Sequence, residues 1–209
     1  MRSDSTALTL FQRHHTLRVR QKKEWGEILT GIETHNRYMV VGDDDQPLFF
    51  VGEVGDSVSA FLLRMFLKAS RPFTLELKTP DGAILLRLKR PWHWWLSRLN
   101  VEDGMGRPLG SIQQRFAFFE RLYEVRDASG EVLAMLRGPF FKPWTFNVEQ
   151  NGREVGKIQK QWSGLGKELF TSADNFGVTF GAIEDPRLRT LVVATTFLID
   201  FVHFEKRDN

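Results

Sequence analysis

Leu188-Arg-Thr-Leu-Val-Val-Ala-Thr-Thr-Phe-Leu-Ile-Asp-Phe-Val-His-Phe-Glu205 is the stretch that decides how the chain must fold. Asp185 ahead of Pro186 predicts a helix start, because the carboxylate accepts orphan backbone N–H groups and proline's fixed φ suits the first turn. Lys206 and Arg207 sit where the negative end of the helix dipole favours cations. No residue between Leu191 and Ile199 is charged. The apolar side chains, among them Leu191, Val192, Phe197, Leu198 and Phe201, fall on all sides of the helical wheel. Such a helix must be enclosed, by protein or by lipid.

Length and charge weigh the two enclosures. Leu188 to Phe204 gives about 26 Å of helix, against a hydrocarbon core of about 30 Å. Arg189, Asp200 and His203 lie inside that span, and a carboxylate near the bilayer centre costs roughly 2.5–3.5 kcal/mol. A helix buried within protein is therefore preferred over a membrane span.

The upstream chain supplies what could surround it. Tyr38–Val41 and Pro47–Val51 flank the acidic turn Gly42–Gln46, read as a solvated hairpin tip rather than a cation site. The unit then recurs around Pro80-Asp-Gly82, Asp103-Gly104, Asp127-Ala-Ser-Gly130 and Asn151-Gly152. Asp-Gly and Asn-Gly between alternating segments signal hairpins, since both residues accept the positive φ of a primed turn. An interval of about 21 to 26 residues marks an array of hairpins. So many antiparallel strands call for a sandwich or closed barrel, and closure removes exposed edges. The fold class is thus mainly β: a closed antiparallel barrel around a buried helix, with Leu75, Leu77, Val125 and Val148 pointing inward. Residues 31–209 form the barrel domain, its helix running over 186–206. Residues 1–30, with the basic run Arg18–Lys23, are expected to be a solvated, partly disordered arm, or one that touches anionic headgroups.

The length fits one domain or at most two, and one is expected. The net charge of +3 is too small to argue for a nucleic-acid partner. Zero cysteines exclude disulfides, thiol catalysis, thiolate metal sites and S-acylation. No signal peptide is expected from Met1–Phe11, which lacks an uninterrupted apolar run. The five histidines have no metal-ligand spacing, and neither a phosphate loop nor a nucleophile elbow is found. An enzyme of the hydrolase or transferase kind is not expected.

Six stretches taken together carry a family resemblance: Ser70–Leu75, Arg90-Pro91, Val155–Lys160, Trp162–Glu168, Ala173–Gly177 and Phe197–Glu205. The chain from about Tyr38 to Glu205 resembles the phospholipid scramblases, a branch of the tubby-like, LURP-one-related barrel proteins. The resemblance implies a barrel of about twelve strands around a C-terminal helix. It also implies calcium-stimulated movement of phospholipids between leaflets, with the last helix often described as a single membrane span. A helix filling a barrel does not also cross a bilayer, so a cytoplasmic protein in peripheral contact with membrane is expected. The function implied is phospholipid binding with movement between leaflets. The alternative is a non-enzymatic, tubby-like module that binds lipid headgroups or a protein without transport.

Departures from the family pattern shape the site expectations. Family members commonly carry clustered, acylated cysteines and a proline-rich arm; this sequence has no cysteine, and its first residues are not proline-rich. Phe61-Leu-Leu-Arg-Met-Phe-Leu-Lys68 stands where cysteines would often be. Phe61, Phe66, Arg64 and Lys68 there suit membrane insertion, or else a buried segment capping the barrel. In the family's calcium segment, Ser172–Ile183 here, only Asp174 and Asn175 match as ligands, against the six to eight oxygens that calcium takes. Any calcium site is expected to be weak. Phe176, Val178 and Phe180 alternate like a buried strand. Lys89-Arg-Pro-Trp-His-Trp-Trp-Leu-Ser-Arg98 combines Trp92, Trp94 and Trp95 with Lys89, Arg90 and Arg98. Such rings and cations suit an anionic headgroup layer, could stack on single-stranded nucleic acid, or could fill a barrel mouth. The partner expected is an anionic phospholipid surface, with no specific nucleic acid and no protein partner named.

Overall fold

The computed structural model describes residues 4–21, 36–54, 72–92, 95–142, 144–161 and 175–203. A helix, α1 (Asp4–Gln12), precedes β1 (Thr16–Gln21), β2 (Asn36–Val41), β3 (Pro47–Glu53), β4 (Phe73–Lys78), β5 (Ile84–Arg90) and β6 (Arg98–Asp103). The chain continues through β7 (Pro108–Arg115), β8 (Glu120–Asp127), β9 (Val132–Pro139), β10 (Thr145–Gln150), β11 (Arg153–Gln161) and β12 (Asn175–Thr179) to α2 (Pro186–His203). All twelve strands form one closed barrel in sequence order, with β1 between β12 and β2. Every pairing is antiparallel, as the hairpin array predicts.

Period-two alternation places one face of each strand inside. Phe73, Leu75 and Leu77 on β4, Tyr123 and Val125 on β8, and Phe146 and Val148 on β10 are buried, while the residues between them are half-buried. Outward-facing side chains pair across strands, Arg87 with Glu76 at 3.1 Å, Lys89 with Glu102 at 2.7 Å and Arg115 with Glu124 at 2.9 Å, and Arg126 joins Glu124 from within β8 at 2.6 Å. Arg137 bridges Glu120 and Glu149. The wall is apolar inside and charged outside, the reverse of a barrel that faces lipid.

α2 occupies the interior. Leu188 and every residue from Thr190 to Phe201 are buried, so the helix is covered all round. No described helix is long and apolar enough to cross a membrane. Its threonine hydroxyls are satisfied within the helix itself. Thr190, Thr195 and Thr196 donate to the carbonyls of Pro186, Leu191 and Val192 one turn back. Asp200 accepts the Tyr38 hydroxyl at 2.7 Å and lies 3.7 Å from Lys160 Nζ. Asp185 accepts the Arg187 N–H at 2.8 Å, so the helix starts at the expected cap.

The arm expected over residues 1–30 needs correction. Thr16–Gln21 is the strand that closes the barrel, and α1 packs at its turn end with Phe11 fully buried against Phe49. Leu17 and Val19 face inward, while Arg18 and Arg20 reach across to Asp45 at 2.8 and 2.6 Å. The acidic turn is therefore less solvated than a free tip. Arg189, on α2, clamps the end of α1 by donating to the carbonyls of Phe11, Gln12 and His14, where the helix dipole favours a cation.

Turn chemistry also differs in detail. Asn151 and Gly152 both take positive φ, 50° and 75°, as a primed hairpin requires. The turn after β6 instead places Gly106 at positive φ, and the Asp103 carboxylate accepts the N–H groups of Met105 and Arg107.

Two stability predictions follow from this packing. Phe197 is fully buried edge-on to Tyr38, so Phe197→Ala is expected to cost about 3–5 kcal/mol in urea unfolding. Partial burial raises the Asp43 pKa, but the Thr16 hydroxyl and the N–H groups of His15 and Thr16 outweigh it and hold the carboxyl below the usual aspartate range. A depressed pKa stabilises the fold above the unfolded value and loses that effect as pH falls through the folded one. The midpoint difference between wild type and Asp43→Asn should be full at about pH 6 and shrink below about pH 4.

Candidate functional site

The two ends of the barrel differ in kind, because hairpin connections alternate between them. One end carries the tight turns at residues 42–46, 79–83, 104–107, 128–131 and 151–152. At the other, three connections belong to neighbouring hairpins, β5 to β6, β7 to β8 and β9 to β10, and their described residues are 91–92, 95–97, 116–119, 140–142 and 144. α2 runs from the first end toward the second.

The tryptophan segment lies on this loop rim. Trp95 is 90% exposed and Trp92 44% exposed, which is surface placement rather than barrel filling. Arg98 is exposed and donates to Asn100, and Lys89 is exposed in its pair with Glu102. Arg90 does not join them. It is 3% exposed, donates to Ser97 Oγ at 2.6 Å and lies 5.5 Å from the Phe73 ring. The alternation of β5 turns it inward, where it ties the loop back onto the wall. Trp94 lies outside the described residues, as do Phe61, Arg64, Phe66 and Lys68.

The rim holds further aromatics that the sequence reading missed. Phe116, Phe118 and Phe119 are 72%, 78% and 87% exposed, and Phe140 and Phe141 are 55% and 81% exposed. Phe116 and Phe118 pack edge to face at 5.0 Å. Glu120 pairs with Pro139 in the β8–β9 ladder, which sets Phe119 beside Phe140. Arg121 holds the second loop in place, donating to the carbonyls of Pro139 and Lys142 and covering the Phe146 ring at 4.5 Å. The missed signal was Phe-Ala-Phe-Phe and Phe-Phe-Lys-Pro standing opposite Asp-Gly turns.

Beneath the rim the Tyr123 hydroxyl meets His203 Nε2 at 2.6 Å. Tyr123 is wholly buried, and burial pushes its pKa well above the usual phenol range, so it stays neutral.

The calcium segment is only partly within the described residues. Asp174 lies outside them, and Asn175 opens β12, its backbone paired with Gln161. Downstream, Phe176, Val178, Phe180 and Ile183 are buried, and Asp185 caps α2. A strand committed to the core does not wrap a cation, so the described residues do not supply calcium's oxygen set. No group of three or more His, Asp or Glu that could hold a metal is found among the described residues.

A family model described as Scramblase matches residues 1–206. The chain belongs to the scramblase family. It is 31% identical over 207 residues to mouse phospholipid scramblase 1, covering 92% of this chain and 62% of that protein. It is 30% identical over 203 residues to bovine phospholipid scramblase 2, covering 90% of this chain and 68% of the relative. This scramblase-family chain thus spans less than two thirds of the mouse protein. An X-ray structure of a protein from Arabidopsis thaliana superposes with a TM-score of 0.51 at 9% identity, covering 92% of this chain and 93% of that one. That likeness supports the fold alone.

The buried and exposed members of the Lys89–Arg98 segment should separate in stability measurements. Arg90→Ala is expected to cost about 1.5–3 kcal/mol by losing the charged hydrogen bond to Ser97. Trp95→Ala should stay within about 0.5 kcal/mol of wild type in the same urea titration.

Proposed function

We propose that this scramblase-family protein binds phospholipid at a membrane surface, in peripheral contact from the cytoplasmic side, and moves phospholipid between leaflets. Family membership supports a scramblase-type function, and the relatives' names supply the lipid class. The observation that carries the surface reading is the enclosure of α2, which leaves lipid contact to the outside of the barrel. Trp92, Trp95, Lys89 and Arg98 are the exposed members of the lipid-contact set, and Phe61, Phe66, Arg64, Lys68 and Trp94 belong to it by sequence. The chemistry proposed is binding and movement of intact lipid, not hydrolysis or group transfer. Calcium enters this reading only as a weak ligand of Asp174 and Asn175.

The same filled interior favours a second reading, a tubby-like module that binds headgroups without transport. With α2 in the barrel, the interior offers no lipid path.

Vesicles carrying a leaflet-reporting fluorescent lipid distinguish the two. The expected result is that the purified protein binds phosphatidylserine-containing vesicles and speeds loss of the leaflet asymmetry, with less than about a two-fold change on adding calcium, since two oxygens make a poor site. Binding without lipid movement would establish the second reading. Failure to bind these vesicles would remove both.

A further inference from the structure

We propose that the phenylalanine segments 116–119 and 140–142, with Trp92 and Trp95, form a single insertion edge that stands the barrel upright on an anionic phospholipid bilayer. The inference deepens the phospholipid-surface reading above and rests on it. Two independent features of the molecule converge on this orientation.

The first is apolar surface gathered at one end. Phe116, Phe118, Phe119, Phe140 and Phe141 are all more than half exposed, and β8 and β9 set their loops side by side. The β6–β7 pairing brings the tryptophan loop next to them, with the Gln114 N–H on the Ser97 carbonyl at 2.8 Å. Contiguous exposed rings of this kind mark a binding or membrane surface rather than scattered surface hydrophobes. Arg121 and Arg90 anchor the two flanking loops to the wall, so the rings are presented from a fixed frame.

The second is a charge difference along the barrel axis. Residues 91–97, 116–119 and 140–144 contain no acidic residue and include Lys142, with Arg98 at the flank. Glu120, directly after Phe119, is taken by Arg137. The opposite end carries exposed Asp43, Asp44, Asp81, Glu131, Glu184 and Asp185, which outnumber its exposed Arg107, Arg153 and Arg187. A negatively charged leaflet repels that end and admits the aromatic one, and each basic residue near such a surface adds about 1 kcal/mol of attraction in general. Phenyl rings then enter the headgroup and acyl boundary, as apolar side chains of interfacial proteins do. A protein partner would need polar groups to match its own rim; a lipid surface needs only rings and the absence of acid.

The absence of cysteine makes the test direct, because one introduced thiol takes one nitroxide label. Labels at Phe119→Cys and Phe141→Cys are compared with labels at Asp81→Cys and Ser129→Cys on the opposite end. With phosphatidylcholine vesicles containing phosphatidylserine, the first pair should lose several-fold in collision with a water-soluble nickel chelate and gain collision with oxygen. The second pair should not change. Phe119→Ser combined with Phe141→Ser should weaken vesicle partition on the order of ten-fold or more, with an unchanged thermal midpoint, since both rings are exposed. Undiminished vesicle binding with the labels at 119 and 141 still in water overturns the insertion edge while leaving phospholipid binding standing. Equal insertion into vesicles of phosphatidylcholine alone overturns the anionic orientation. No vesicle binding at all removes the phospholipid reading itself, and the edge with it.

Discussion

A helix with no polar face cannot be left in water, and the architecture of this protein is the solution to that constraint. α2 supplies apolar side chains in every direction, and only a surface that closes on itself can meet them all. A two-layer sandwich would cover one side of the helix and leave the other wet. Twelve strands curled into a barrel cover it completely, and in doing so leave no sheet edge unpaired. The barrel wall needs the helix equally. Strands whose inward faces carry Phe73, Leu75, Leu77, Val125, Phe146 and Val148 would enclose an apolar void without it. Neither part is a plausible fold alone, and each makes the other stable.

The few polar groups taken into the interior sharpen that mutual fit. Threonines on α2 return their hydroxyls to the helix's own carbonyls and so ask nothing of the wall. Asp200 does ask something, and Tyr38 and Lys160 answer from β2 and β11, strands that meet the helix from different sides. A buried carboxylate is costly unless its partners are in place, so this cluster penalises a helix that is rotated or shifted along the barrel axis. The residue that argues most strongly against a membrane span is thus the one that fixes the helix within the protein.

Much of this was legible in the sequence because the signals were redundant. Five turn motifs between alternating segments, and one apolar helix after them, left few other arrangements. The closing strand was harder to read, since β1 shows only Leu17 and Val19 as apolar positions, and the arginines between them read as a basic tail. Their partner, Asp45, lies 25 residues or more along the chain, and such pairings are invisible to local pattern. Arg90 was misplaced for a related reason: composition groups it with Lys89 and Trp92, whereas strand parity sends it inward. The aromatic rim was hidden by continuity, because a phenylalanine after Gln114 and Arg115 looks like one more strand residue. Only the barrel shows that three such loops share an end.

The filled barrel also bears on how lipid could be handled. Burying a large apolar side chain contributes about 1.5–3 kcal/mol. α2 buries Leu188, Leu191, Val192, Val193, Phe197, Leu198, Ile199 and Phe201, so drawing it out forfeits about 12–24 kcal/mol, as much as or more than the roughly 5–15 kcal/mol that holds a domain folded. A bilayer could shelter the departing helix, but the emptied wall would then face water with its own apolar lining. Lipid movement through the barrel would therefore require the protein to unfold around its cargo. The outer wall is no easier a route for acyl chains, because its side chains are ion pairs such as Glu76 with Arg87 and Glu124 with Arg115. Among the described residues, what remains for contact with acyl chains is the end of the barrel where the rings are exposed and the three aromatic loops hold no acid. A protein that moves lipid from there must act by disturbing the bilayer it sits on, not by offering a passage through itself.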